Sequence, residues 1–279
     1  NTYINFDTNT VSFTNQYVTY DTSFNSIQYW QGNGGVFNTY GSMTVSNWIM
    51  LNGVTWNANL GANTATISKL VIGKDGPPAV VNLNSGTLNA VGQNFFGLAD
   101  TANSAPNSST SMGTLNINSG IATIGATSRF LVGNGGLGVV NVSAGQLNFI
   151  GNGSSIMLGG DSQYAHNGAT GILTVSGTGS VTVSTGSGGL RLGATAGVAT
   201  GITGTINLFG GTLTTSPGIV YAGDGVNSSG YVVFSGGTLR AGTNQAAFLQ
   251  GLTAVTVSTN GAIIDDGGYK VTIGQSLIT

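Results

Sequence analysis

Residues 113–137 read GTLNINSGIATIGATSRFLVGNGGL, and the stretches that follow repeat the same plan: 138–161 read GVVNVSAGQLNFIGNGSSIMLGGD, and 171–195 read GILTVSGTGSVTVSTGSGGLRLGAT. In the first of these, Leu115 and Ile117, then Ile121 and Ile124, then Phe130 and Val132 mark three short segments in which apolar residues tend to alternate with polar or small ones. A period of two is the signature of a strand, and Gly, Asn and Ser between the segments supply the bends. Working outward, equivalent units open at Ala79, Gly113, Gly138, Gly171, Gly204, Gly230 and Thr253, about 23 to 34 residues apart. Self-similarity at such a period points to stacked repeats, because one unit cannot bury its apolar face alone.

Three strands per unit predict an all-β fold, a parallel β-helix or β-solenoid with three short strands per coil. Equivalent strands would lie about 4.8 Å apart around a shared core. An immunoglobulin-like sandwich also has many short strands with Gly-rich turns, but it does not explain the repeat. A helical reading fails because Val, Ile and Thr fill the periodic positions and glycine costs about 1 kcal/mol relative to alanine in a helix.

Leu115, Val142, Val175 and Leu208 are expected to stand in one aligned row. The residues that open the second strands are expected to form another: Thr87, Ile121, Gln146, Ser180, Thr212 and Thr238. Leu70-Val-Ile-Gly73, Phe95-Phe-Gly97, Phe130-Leu-Val-Gly133, Ile156-Met-Leu-Gly159, Leu190-Arg-Leu-Gly193 and Ile219-Val-Tyr-Ala-Gly223 would form the third column. An earlier coil is expected to use Met43 and Val45, with its register undetermined before residue 64.

Composition sets limits on function. The 279 residues contain 48 glycines, no cysteine, one histidine, six basic residues and eight acidic ones, all aspartates. Charged residues are 5% of the chain, where an ordinary globular protein has about a quarter. Without a basic cluster, nucleic acid is not an expected partner. No run reaches the roughly 18 apolar residues of a membrane span, so membrane insertion is not expected either. Disulfides are impossible, and an apolar fraction of 40% is enough for a core.

The search for chemistry yields little. Asp265 and Asp266 are the one close carboxylate pair, and neighbours in a strand face opposite sides, so a turn ahead of Gly267 and Gly268 is the better reading. His166 lies in an Asn- and Gly-rich insertion with no second histidine or cysteine for zinc. Asp75, Asp100, Asp161 and Asp224 recur after the third strand; they accept local backbone N–H groups there, or they hold calcium. Gly135 and Thr195 at the equivalent place in other units speak against calcium. No enzyme activity and no cofactor are expected, and a polysaccharide lyase or hydrolase remains as a remote alternative.

The ends differ from the middle. Residues 1–40 hold ten of the chain's 3 Trp, 9 Tyr and 11 Phe. They form an aromatic cap or an assembly arm, with residues 41–279 as the repeat domain. In the arm reading, Ile4, Phe6, Val11, Phe13 and Tyr17 dock on another copy by strand addition. At the other end, Val271, Ile273 and Leu277 belong to an uncapped coil whose strand edges are a template for another chain. Copies docking end to end with one operator that does not close give a filament, and abundant Asn, Thr and Ser suit side-chain ladders along it. The alternative is a monomeric adhesin that binds cell-surface or matrix glycans through the insertions at 101–112 and 161–170.

The motifs Asn84-Ser-Gly-Thr-Leu88, Phe209-Gly-Gly-Thr-Leu213 and Ser235-Gly-Gly-Thr-Leu239, with the tail Leu252-Thr-Ala-Val-Thr-Val-Ser-Thr-Asn-Gly-Ala-Ile-Ile-Asp-Asp266, resemble the autotransporter-associated β-strand repeat proteins. The resemblance covers roughly residues 79 to 279. It implies an exported, right-handed solenoid at the surface of a Gram-negative bacterium, serving as a passenger, adhesin or surface structure. The chain shows neither a translocating β-barrel nor a sorting anchor, so the resemblance leaves the export route open.

Overall fold

The computed structural model describes residues 2–5, 10–13, 18–20, 28–74, 76–99, 111–150, 155–160, 167–184, 189–193, 200–221 and 228–279. Among these the regular structure is entirely β: 22 strands in one connected network, with no helix. Every pairing between these strands is parallel. Parallel neighbours cannot be joined by a tight hairpin, which is why each strand finds its partner one repeat further along the chain. A sandwich of antiparallel sheets is thereby excluded.

The pairings fall into three series. The first runs from Thr10–Phe13 through 36–39, 55–58 and 80–83 to Met112–Ile117 and Leu137–Val142. It continues through 170–175, 203–208, Ser229–Phe234 and Ala254–Val257 to Leu277–Ile278. The second joins 64–67, 87–90, 121–125, Gln146–Ile150, 180–183, 212–215, Thr238–Ala241 and Ile263–Asp265. The third joins 129–132, Ser155–Leu158, Leu190–Leu192 and Ile219–Tyr221, and reaches Val271–Ile273 through 249–250.

The glycine openings come out as the sequence reading placed them. Ala79, Gly113, Gly138, Gly171, Gly204 and Gly230 stand in one row, and Thr253 N–H donates to the Gly230 carbonyl at 2.9 Å. The second row is also as expected, Thr87, Ile121, Gln146, Ser180, Thr212 and Thr238 in register. Two rows need correction. Val142, Val175 and Leu208 are in line, but the residue beside Val142 is Ile117, while Leu115 pairs with Val140. The expected Phe95-Phe-Gly97 segment is displaced by two, because Gly97 pairs with Leu131 and Leu98 with Val132. The corner that Gly133 makes in the next unit is made here by Ala99, the only non-glycine with positive φ (51°) among the described residues. Its N–H donates to the Ile72 carbonyl at 2.8 Å, as Gly133 N–H donates to that of Leu98 at 3.0 Å. An alanine in a left-handed corner hides the corner from a reading keyed on glycine.

Alternation puts one face of each strand inside. Leu115 and Ile117, Ala122 and Ile124, and Phe130 and Val132 are all buried, and the buried residues from Phe37 to Val255 form a single apolar cluster. Large rings fill it in places, as where Phe130 and Phe149 stack with centroids 5.0 Å apart.

Candidate functional site

The outward face of the first series is built on asparagine. Asn38, Asn57, Asn82, Asn116 and Asn141 stand in one row of successive strands. Each amide donates from Nδ2 to the Oδ1 of the asparagine before it: Asn57 to Asn38 at 2.9 Å, Asn82 to Asn57 at 2.8 Å, Asn116 to Asn82 at 2.8 Å and Asn141 to Asn116 at 2.9 Å. The row goes on with Thr174 and Asn207, whose Nδ2 lies 3.3 Å from the Thr174 hydroxyl. A shorter parallel row links Asn118, Asn84 and Asn59 at 2.9 Å per bond. The composition led us to expect ladders of this kind. The signal for their place was the asparagine three residues past the unit openings, at 82, 116, 141 and 207.

The middle of such a row has more to lose than its end. Asn116→Ala removes two amide bonds, leaving Asn82 Oδ1 and Asn141 Nδ2 to solvent in a half-buried row. We expect a loss of about 1–2 kcal/mol in denaturant unfolding, against about 0.5–1 kcal/mol for Asn141→Ala.

The C-terminal layer is the apolar one. Strands Ile263–Asp265, Val271–Ile273 and Leu277–Ile278 each pair with one strand on one side, so among the described residues their other edge carries no strand. Ile263, Ile273, Leu277 and Ile278 are 54%, 38%, 40% and 50% exposed. Val257, Ala262, Ile264 and Val271 beneath them are partly buried against the core. Of the expected assembly residues, Val271 pairs with Gln245, Ile273 with Leu249 and Leu277 with Val255.

The N-terminal candidates divide. Ile4 lies in a strand in register with Trp30, Val11 is in register with Phe37, and Phe13 with Thr39. Phe6 and Tyr17 lie outside the described residues.

The carboxylates that are described serve the backbone. Asp265 Oδ1 accepts from Gly267 N–H at 2.8 Å and Asp266 Oδ1 from Gly268 N–H at 2.9 Å, so the pair forms two successive turns, as the following glycines suggested. Asp265 also meets Arg240 at 3.4 Å, with both side chains about half exposed. Asp75, Asp100, Asp161 and Asp224 lie outside the described residues, as do His166 and most of both insertions considered for glycan recognition. Among the described residues no group of three or more His, Cys, Asp or Glu is placed to hold a metal ion.

Comparisons of the chain with protein families, with curated proteins and with solved structures found no match.

Proposed function

We propose that this chain is a right-handed parallel β-solenoid with three short strands per coil, and that it works as a non-enzymatic structural element outside the cell, its copies stacked end to end. The chain visits the third, first and second series in the same order throughout, which is the path of a three-sided coil; the right hand follows from the strong bias of parallel crossovers. The surface of a Gram-negative bacterium is the setting that the repeat motifs imply. Residues 1–40 are read as a cap or docking arm, of which Thr10–Phe13 and 36–39 continue the first series.

The observation that supports the assembly reading is the layer of the last described strands, where half-exposed Ile263, Ile273, Leu277 and Ile278 lie on strands that, among the described residues, pair on one side only. An open edge with apolar side chains templates further strands unless charge or a cover prevents it. Here charged residues are 5% of the chain, so repulsion between copies is weak. Removing each half-exposed aliphatic from water supplies about 1 kcal/mol, and the N–H and C=O groups on the edge that carries no strand among the described residues gain partners.

The test is the double variant Ile273→Lys with Leu277→Lys. The purified protein is expected to give long rods in negative stain and fast-sedimenting species, and the double variant short particles that do not lengthen, with unchanged circular dichroism. Wild-type protein that stays monomeric at high concentration, or a double variant that still lengthens, rejects end-to-end stacking.

A further inference from the structure

A second surface is independent of the ends. Eight strands of the first series, from 36–39 to 231–234, turn outward a row of Val36, Thr55, Val80, Thr114, Val139, Ile172, Thr205 and Tyr231, beside the asparagine row. None of these strands contains Asp, Glu, Lys or Arg. The charged side chains whose surroundings are described lie elsewhere: Lys69 and Lys74 before and after the third-series residues 71–72, Arg191 in the third series, Arg240 and Asp265 on the second, Asp266 and Lys270 in the last turns. Large sheets ordinarily twist, and a flat one is held flat by specific side-chain ladders. The amide row supplies such a restraint over five of these strands, from 36–39 to 137–142, where bonds of 2.8–2.9 Å link each asparagine to the one before.

We propose that this face is a lateral interface, and that its occupant is the same face of a second copy. Three observations select a copy over other partners. The face has no charge with which to select a charged partner and none to repel its own duplicate. Its asparagines already donate and accept along the row, so burying them leaves few unmet groups, as in the dry interfaces of stacked sheets. Its extent also suffices: eight strands about 4.8 Å apart and about five residues wide at about 3.3 Å each offer roughly 600 Å2 per copy. Two copies then bury about 1,200 Å2, the lower bound for a specific protein pair. A two-fold axis makes such a contact self-complementary and closed, so it thickens a rod to a pair without spreading into sheets.

The experiment uses the full chain with its C-terminal layer blocked by Ile273→Lys and Leu277→Lys, so that pairing is read without lengthening. Sedimentation equilibrium is expected to show dimers. Adding Thr114→Lys and Thr205→Lys, both half-buried on this face, is expected to weaken association by at least about tenfold, with circular dichroism and the unfolding midpoint retained. Ile121→Lys, on the second series, should leave the dimer intact. An end-blocked protein that is monomeric throughout, or a dimer indifferent to the two lysines on this face, overturns the proposal. The two interfaces fail separately, because end-to-end stacking sets the length of particles in micrographs and lateral pairing sets their width.

Discussion

Replacing Gly133 with alanine is expected to cost about 2–5 kcal/mol and to leave much of the chain unfolded in mild denaturant, and replacing Gly171 about 1–3 kcal/mol. The two glycines meet where the corner after a third-series strand passes the start of a first-series strand. A Cβ on Gly171 would lie 2.2 Å from the Val132 carbonyl oxygen and 2.3 Å from the Gly159 nitrogen. One on Gly133 would lie 2.0 Å from the Thr170 carbonyl oxygen, at a φ of 82°. These are backbone atoms, fixed in their own ladders, so they cannot rotate away as a side chain would. At Gly133 left-handed backbone alone costs an alanine about 1–2 kcal/mol, and at both glycines, Gly171 without a positive φ included, forced overpacking costs about 1–3 kcal/mol. Gly168→Ala separates the two costs, since its φ is 74° but nothing lies within 4 Å of the added carbon. It should lose only about 1–2 kcal/mol. Equal losses at 168 and 133, whose φ are both left-handed, or no loss at 171, in denaturant titrations would show that the close approach has no energetic weight. The same clasp recurs at Gly113, Gly138 and Gly204, whose added Cβ atoms would fall 2.1, 2.2 and 2.3 Å from backbone atoms.

Trp56→Ala is the second large effect. Trp56 is fully buried, Phe37 lies beside it with ring centroids 6.3 Å apart, and its indole N–H donates to the Thr39 hydroxyl at 3.0 Å. Truncation leaves a cavity the size of the ring, with a loss of about 3–5 kcal/mol. Trp56→Phe keeps most of the volume but takes the indole donor from Thr39, itself 2% exposed, and should lose about 1–2 kcal/mol. The two midpoints in a denaturant titration should therefore differ clearly at similar slopes. A Phe variant as unstable as the Ala variant would place the weight on the hydrogen bond instead of on packing.

Several of these features could be read before the structure. The unit openings from Gly113 to Gly204 were legible because glycine there is forced by close backbone approach, which leaves a mark in the sequence. The row from Thr87 to Thr238 was legible because it sits a fixed step from the turn before it. The register failed where the mark was missing. At the third-series corner Ala99 stands in for glycine, and nearer the N-terminus Gly35 pairs with Val54, so the next unit opens without a glycine. Leu115 was matched with the wrong valine because both residues of a pair such as Leu115 and Ile117 face inward, and apolar pattern alone does not tell a shift of two from correct register. The site was harder. Ladders were expected from composition, but which asparagines share a row depends on unit lengths that insertions vary from one unit to the next. The apolar C-terminal strands were picked out as assembly candidates, and the structure places Ile273 and Leu277 at the surface with edges to spare.

The asparagine row also has a direction. All four amide bonds from Asn141 to Asn38 hand their hydrogen toward the N-terminus. The carboxamide dipoles therefore add instead of cancelling, and each polarises the next. A face without a single ionised group thus carries an electrical arrow along its length. Two rods lying side by side in opposite senses would oppose their arrows and attract, while two in the same sense would repel.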